Sequence, residues 1–122
     1  MRILIADDEP LFAEALAALL EADGRVEVVG RAADGREAIE LAGELEPDLV
    51  LMDLSMPGID GFDATGQLTA NGGPNVLVLT GSDDPADVAR ARSAGAAGYL
   101  TKDKIAETLV EAILAAGAAE RG

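Results

Sequence analysis

Three short apolar runs stop abruptly at polar residues. Ile3-Leu4-Ile5-Ala6 meets Asp7, Leu49-Val50-Leu51-Met52 meets Asp53, and Val76-Leu77-Val78-Leu79 meets Thr80. A strand with one wet face alternates apolar and polar residues, so an unbroken run this short predicts a strand covered on both faces. Helical patterns stand between the runs. Pro10 suits a first helical turn, and the pattern from there runs to about Ala22, where Gly24 stops it. A shorter, more mixed second strand is expected over Val26–Gly30. After an Asp34-Gly35 turn, a helix follows from Arg36 to Leu45 with Ala38, Ile39, Leu41, Ala42 and Leu45 inward, ended by Pro47. Asp60 is placed to cap a third helix from Gly61 to about Ala70, and Asn71-Gly72-Gly73-Pro74 reads as a loop. Ser82-Asp83-Asp84-Pro85 caps a fourth helix that reaches Ala94. Gly98-Tyr99-Leu100 is a short fifth strand, and a last helix spans about Asp103 to Ala116. Strand and helix alternate five times. Such an order implies a parallel sheet covered by helices on both faces, with the ligand site at the carboxyl ends of the strands.

Bulk properties narrow the chemistry. The length of 122 residues suits one domain. The chain has no cysteine and no histidine, which removes disulfides, thiolate or imidazole metal sites and an imidazole base. It fits a cytoplasmic protein. The net charge of −14 argues against direct nucleic-acid binding. No apolar stretch approaches membrane-spanning length, and the apolar start meets Asp7 and Asp8 too soon for a signal peptide.

The predicted strand ends carry a coherent set of groups. The first strand delivers Asp7 and Asp8, the third Asp53, the fourth Thr80 with Gly81 and Ser82 behind it, and the fifth Lys102. Two carboxylates about 5 Å apart repel by roughly 3 kcal/mol at an effective dielectric near 20. Lys102 offsets only one of the charges, so a divalent cation is the economical remedy. An all-oxygen donor set favours Mg²⁺ over zinc. A cation, an ammonium and a hydroxyl together suit a phosphoryl group. With no Ser-His or Cys-His pair available, the plausible nucleophile is a carboxylate, and Asp53 is central among the strands.

Taken jointly, Asp7-Asp8, Asp53 through Gly61, Leu79-Thr80-Gly81 and Gly98-Tyr99-Leu100-Thr101-Lys102 resemble the receiver domain of bacterial two-component response regulators. The resemblance covers nearly the whole chain. It implies a flavodoxin-like (βα)5 three-layer sandwich with a five-stranded parallel sheet of order 2-1-3-4-5. It implies that Asp53 accepts a phosphoryl group from a histidine kinase. It also implies that Asp8, Asp53 and the Ser55 carbonyl bind Mg²⁺, with Asp7 acting through water. Lys102 would hold a phosphoryl oxygen, Thr80 would rotate onto the phosphoryl group, and Tyr99 would follow inward. The Gly98–Asp103 stretch resembles the NarL/LuxR-type regulators, whose output is a DNA-binding helix-turn-helix domain absent from this chain. Many receivers place proline after the lysine, with a cis bond before it. Asp103 stands there instead, which leaves that bond open.

The receiver is expected over residues 1–117, with 118–122 starting a linker or tail. Lys104 reads as a solvated lysine, and Ser55 and Ser82 as turn residues that tune phosphoryl lifetime. A surplus of apolar residues on the first and last helices, including Ala106, Val110 and Leu114, reads either as packing or as a phosphorylation-dependent homodimer surface. Other readings are a stand-alone receiver acting by protein contact, a receiver that no longer takes phosphate, a flavin carrier, or a haloacid-dehalogenase-like phosphatase. The last would want an acid where Ser55 stands.

Overall fold

The computed structural model describes residues 1–54, 56, 60–81 and 84–118, the side chains of Asn71 and Ala106 excepted. The strands are β1 (Arg2–Ala6), β2 (Glu27–Ala32), β3 (Leu49–Asp53), β4 (Asn75–Thr80) and β5 (Gly98–Thr101). The helices are α1 (Pro10–Asp23), α2 (Gly35–Leu45), α3 (Gly61–Thr69), α4 (Pro85–Ser93) and α5 (Ile105–Gly117). All strand pairs are parallel and the sheet order is β2-β1-β3-β4-β5. This is the expected flavodoxin-like arrangement, with β3 at the centre.

The unbroken apolar runs have the burial they require. Every residue of β3 and β4 is buried. Successive side chains leave a strand on opposite faces, and the sheet accordingly divides two cores. Ile3, Ile5, Leu49, Leu51, Leu77 and Leu79 pack with Leu16 and Leu20 of α1 and Leu109 and Ile113 of α5. Leu4, Val50, Met52, Val76 and Val78 pack with Ala38 and Ala42 of α2, Ala64 and Leu68 of α3, and Ala91 of α4. Each fully buried aliphatic side chain contributes roughly 1.5–3 kcal/mol, so the fold needs no staple.

The helix ends follow local chemistry. Gly24 ends α1 at φ 84°. Asp34, expected in a simple turn, caps α2 by accepting from the Glu37 N–H at 2.8 Å. Asp60 accepts from the Phe62 N–H at 2.7 Å, and Asp84 from the Ala86 N–H at 2.9 Å. Each cap satisfies a donor that no helical carbonyl reaches.

Several boundaries differ from the sequence reading. β2 extends past Gly30 to Ala32, because pairing with β1 carries the backbone on to the Ala6 register. Glu46, in the left-handed conformation at φ 48°, ends α2 one residue before Pro47, and its N–H closes back on the Ala42 carbonyl. Ala70–Gly72 is a 3₁₀ turn rather than open loop. Lys102–Lys104 forms another, so α5 begins at Ile105 and not at Asp103. Every peptide bond among the described residues is trans, Lys102–Asp103 included.

Candidate functional site: an acidic pocket at the carboxyl edge

The parallel sheet brings the chemistry-bearing strand ends to one edge. Asp53 closes β3 and is 1% exposed. Pleat alternation points it the same way as Leu51, toward the α1/α5 side. Asp7 follows β1 and is 5% exposed, while Asp8 beside it is exposed. Carboxylate oxygens of Asp7, Asp8 and Asp53 lie within 4.8 Å of one another. At that spacing each ionised pair repels by about 3 kcal/mol at an effective dielectric near 20.

Lys102 supplies the cation. Its Nζ donates to Asp53 Oδ2 at 2.9 Å. Burial pulls the ammonium down. The hydrogen bond and charge of Asp53, with Asp7 and Glu9 nearby, outweigh it and hold the pKa above the ordinary lysine value. The Lys102 Nζ also stands 4.7 Å from the centre of the Phe12 ring, on the first turn of α1.

Asp7 is the strained member. Its backbone N–H is anchored on the Ala32 carbonyl at 2.9 Å, and its Oδ1 accepts from the Glu9 N–H at 2.8 Å. Its Oδ2 is buried and accepts no hydrogen bond among the described residues. Burial pushes the carboxyl up most. The Glu9 N–H pulls it down, Asp53 raises it further and Lys102 opposes, leaving a pKa of about 6. Protonated, Asp7 has a hydrogen to share with Asp53. Ionised, it sets a bare oxygen against a second carboxylate. A buried carboxylate oxygen without a donor, in reach of two more carboxylates, is a donor set for a hard cation. The Glu9 N–H engages Oδ1 and not Oδ2.

Thr80 and Tyr99 lie toward the other layer. Thr80 ends β4 and is 9% exposed; alternation sets it on the side of Val78. Tyr99, half-buried, pairs in register with Val78 and packs against the α2/α3/α4 core. It lines a cleft of about 270 Å³ with Val88, Ala91 and Arg92 of α4. The edge thus gathers Asp7, Asp8, Asp53, Thr80 and Lys102, while Tyr99 sits two register positions back from the Thr80–Thr101 pair. The Ser55 carbonyl and Ser82 lie outside the described residues.

Two contacts were not legible in the sequence. Phe12 beneath Lys102 is one. The other ties α3 to α4: Arg90 reaches Asp60 Oδ2 at 3.2 Å and lies 4.2 Å over the Phe62 ring. A helical apolar residue and an exposed arginine look ordinary until the helices are docked.

A 2-1-3-4-5 parallel sheet with three carboxylates and a lysine at its carboxyl edge defines the class, a flavodoxin-like α/β domain with a cation-ready acidic site. Residues 3–114 match the response regulator receiver domain, and the chain belongs to that family. It is similar to the transcriptional regulatory protein LiaR of Bacillus subtilis, 43% identical over 121 residues that cover 98% of this chain and 57% of that protein. It is also similar to the nitrate/nitrite response regulator protein NarP of Escherichia coli, 44% identical over 93% of this chain and 54% of that protein. Among solved structures, the receiver domain of the putative response regulator NarL from Mycobacterium tuberculosis superposes with a TM-score of 0.91 at 38% identity, covering 98% of this chain and 97% of that one. The chain is thus a receiver domain of the NarL/LuxR-type response regulators, a signalling family of two-component systems. It spans about half the length of these curated relatives. Among the described residues, no helix is long and apolar enough to cross a membrane.

Proposed function

We propose that this domain accepts a phosphoryl group on Asp53 from a histidine kinase and thereby switches a transcriptional output. The observation that carries the reading is Asp53 itself. It is an almost wholly buried carboxylate at the end of the central strand, with an ammonium at 2.9 Å and two further carboxylates in reach. A structural role alone gives no reason to bury so much like charge. The chain has no histidine, so a phosphohistidine donor lies outside these 122 residues.

Asp7, Asp8 and Asp53, with the Ser55 carbonyl, would hold Mg²⁺; bound there, it supplies positive charge to the phosphoryl oxygens. Asp53 attacks phosphorus in line. Its oxygen–phosphorus bond forms as the phosphorus–nitrogen bond of the kinase phosphohistidine breaks. The departing nitrogen keeps the electron pair while the other ring nitrogen carries the proton, so imidazole leaves neutral. Lys102 pairs with a phosphoryl oxygen. Thr80 turns its hydroxyl to the new group, and Tyr99 moves further into the α4 side, shifting the domain between two packings. Water attacking the same phosphorus releases inorganic phosphate and restores the carboxylate. The domain therefore catalyses its own phosphorylation and slow dephosphorylation, and is a switch rather than a metabolic enzyme.

Residues 1–117 make up this receiver and 118–122 begin a linker. The regulated output is a DNA-binding domain elsewhere in a longer, cytoplasmic protein. Leu11 is 82% exposed and Leu19 39% exposed on α1. These side chains support a phosphorylation-dependent homodimer through α1 and α5.

The test is intact mass after incubation with a small acyl phosphate and Mg²⁺, with Asp53→Ala as control. One phosphoryl mass on the parent and none on the variant is expected. No gain on the parent, or an equal gain on the variant, refutes the reading.

A further inference from the structure

Lys102 has a difficult position to hold. Its ammonium sits on a flexible four-carbon stem, and fixing such a chain costs up to about 2 kcal/mol in rotamer freedom. Asp53 anchors it, through the 2.9 Å hydrogen bond. When Asp53 takes a phosphoryl group, the anchoring oxygen changes its charge and its partners at the moment the ammonium is needed. A further carboxylate hydrogen-bonded to Lys102 could serve as a standby anchor, but it would add to a cluster that already carries three.

The Phe12 ring meets both demands. It occupies the third position of α1, one turn from the acidic pair, and its centre lies 4.7 Å from the Lys102 Nζ. An aromatic face attracts a cation through its quadrupole and brings no net charge, so it does not compete with a divalent cation for the carboxylates. The ring is itself fixed. It packs against the α1/α5 core and, with Leu16, Leu19 and Ile105, walls a cleft of about 300 Å³ below Lys102 and Asp103. The 3₁₀ turn Lys102–Lys104 sets the stem of Lys102 over this wall.

We propose that Phe12 is a positioning residue for phosphoryl transfer, its ring face holding the Lys102 ammonium at the site through the change in charge on Asp53. The inference rests on the phospho-accepting role of Asp53. It assigns Phe12 no contact with the reacting atoms; Phe12 acts through Lys102. A cation–π contact of about 1 kcal/mol corresponds to a several-fold change in rate when the ammonium is needed in the transition state.

The test combines rates and a spectroscopic signature. Self-phosphorylation by acetyl phosphate with Mg²⁺ is followed by intact mass for the parent, Phe12→Leu, Phe12→Tyr, Lys102→Ala and the Phe12→Leu/Lys102→Ala pair. Phe12→Leu is expected to slow the parent about three- to tenfold. Phe12→Tyr, which keeps the ring, should stay within about twofold, and Phe12→Leu should change nothing when Lys102 is already alanine. In parallel, the carbon–proton spectrum of the lysine ε-methylenes contains only Lys102 and Lys104. The Lys102 signal should be displaced by the ring current in the parent and in Phe12→Tyr, and should return to the Lys104 position in Phe12→Leu. The proposal is overturned by a Phe12→Leu rate equal to the parent's, by the same loss in the Lys102→Ala background, by a Phe12→Tyr rate as low as that of Phe12→Leu, or by a Lys102 signal that ignores the ring. If the parent takes up no phosphate, the phospho-accepting reading fails and the rate claim falls with it. The ring-current shift then reports the Phe12–Lys102 contact by itself.

Discussion

Replacing Asp7 with asparagine should stabilise the metal-free protein at neutral pH. Asp7 Oδ2 is buried and accepts no hydrogen bond among the described residues, and the Asp7 carboxyl lies close to Asp53. Its carboxyl is raised from an ordinary 3.8 to about 6. The folded state therefore binds the Asp7 proton more tightly than the unfolded chain does. Between those two values the native protein holds more protons, so the Asp7 contribution to stability falls as pH rises. Below about 4 the residue is protonated in both states and costs nothing; above about 6 it is ionised in both, and the full penalty applies. A gap of that size is worth about 3 kcal/mol. An asparagine keeps an oxygen for the Glu9 N–H and turns a donor toward Asp53, but it gives up the attraction of Lys102. We therefore expect a net gain of about 2 kcal/mol at pH 7.5 in chelator, a sizeable part of the 5–15 kcal/mol that holds a domain together. Urea melts of parent and variant from pH 4 to 8 read this directly, as a midpoint increase of about 1 M at the alkaline end that closes toward pH 4. Millimolar Mg²⁺ should stabilise the parent more than the variant and narrow the difference. A variant less stable than the parent at pH 7.5, or a difference that does not change with pH, would refute the account of a strained, cation-ready carboxylate.

Three further outcomes follow from the geometry. Lys102→Met removes the ammonium that pairs with the buried Asp53 carboxylate, so it should cost about 1–3 kcal/mol in chelator, much of it recovered with Mg²⁺, as thermal melts would report. Gly73→Ala drives a Cβ into the Leu68 backbone carbonyl, which cannot swing aside as a side chain can, and should cost about 2 kcal/mol or more; Gly24→Ala, with open space but φ 84°, should cost only about 1 kcal/mol, and urea titrations of the pair separate clash from backbone strain. Leu11→Glu, at an 82% exposed position, should shift stability by less than about 0.5 kcal/mol yet abolish a phosphorylated homodimer, and a sedimentation profile the same as the parent's in both phosphorylation states would remove α1 from the dimer surface.

Burial carries information that periodicity alone cannot. The apolar surplus on α1 and α5 illustrates this. Ile105, Leu109 and Ile113 are buried as expected, whereas Val110 and Leu114 are only half-buried and Leu11 is open to solvent. The same hydrophobic letter thus serves core and surface, and only the docked helix distinguishes them. Likewise Asp34, Asp60 and Asp84 are legible as caps because capping is a local event, settled within three residues of the chain.

The sequence by itself determined the class of fold and the members of the acidic site. Unbroken apolar runs demand strands covered on both faces, alternation with helices demands a parallel sheet, and a parallel sheet must present Asp7, Asp8, Asp53, Thr80 and Lys102 on one edge. Each of those steps depends on spacing along the chain. Element ends set by pairing between strands, such as Ala32 of β2, were not legible, because the partner strand is distant in sequence. Nor was the division of labour within the site. Only the tertiary structure separates Asp7, with its bare Oδ2 and raised pKa, from the neighbouring exposed Asp8, since burial and donors come from Glu9, Asp53 and the sheet edge together. Only it sets Asp53 and Lys102 toward α1 and α5 with Phe12 beneath, and Thr80 and Tyr99 toward α4. Packing angles and side-chain directions arise from all the elements at once, and no local pattern encodes them.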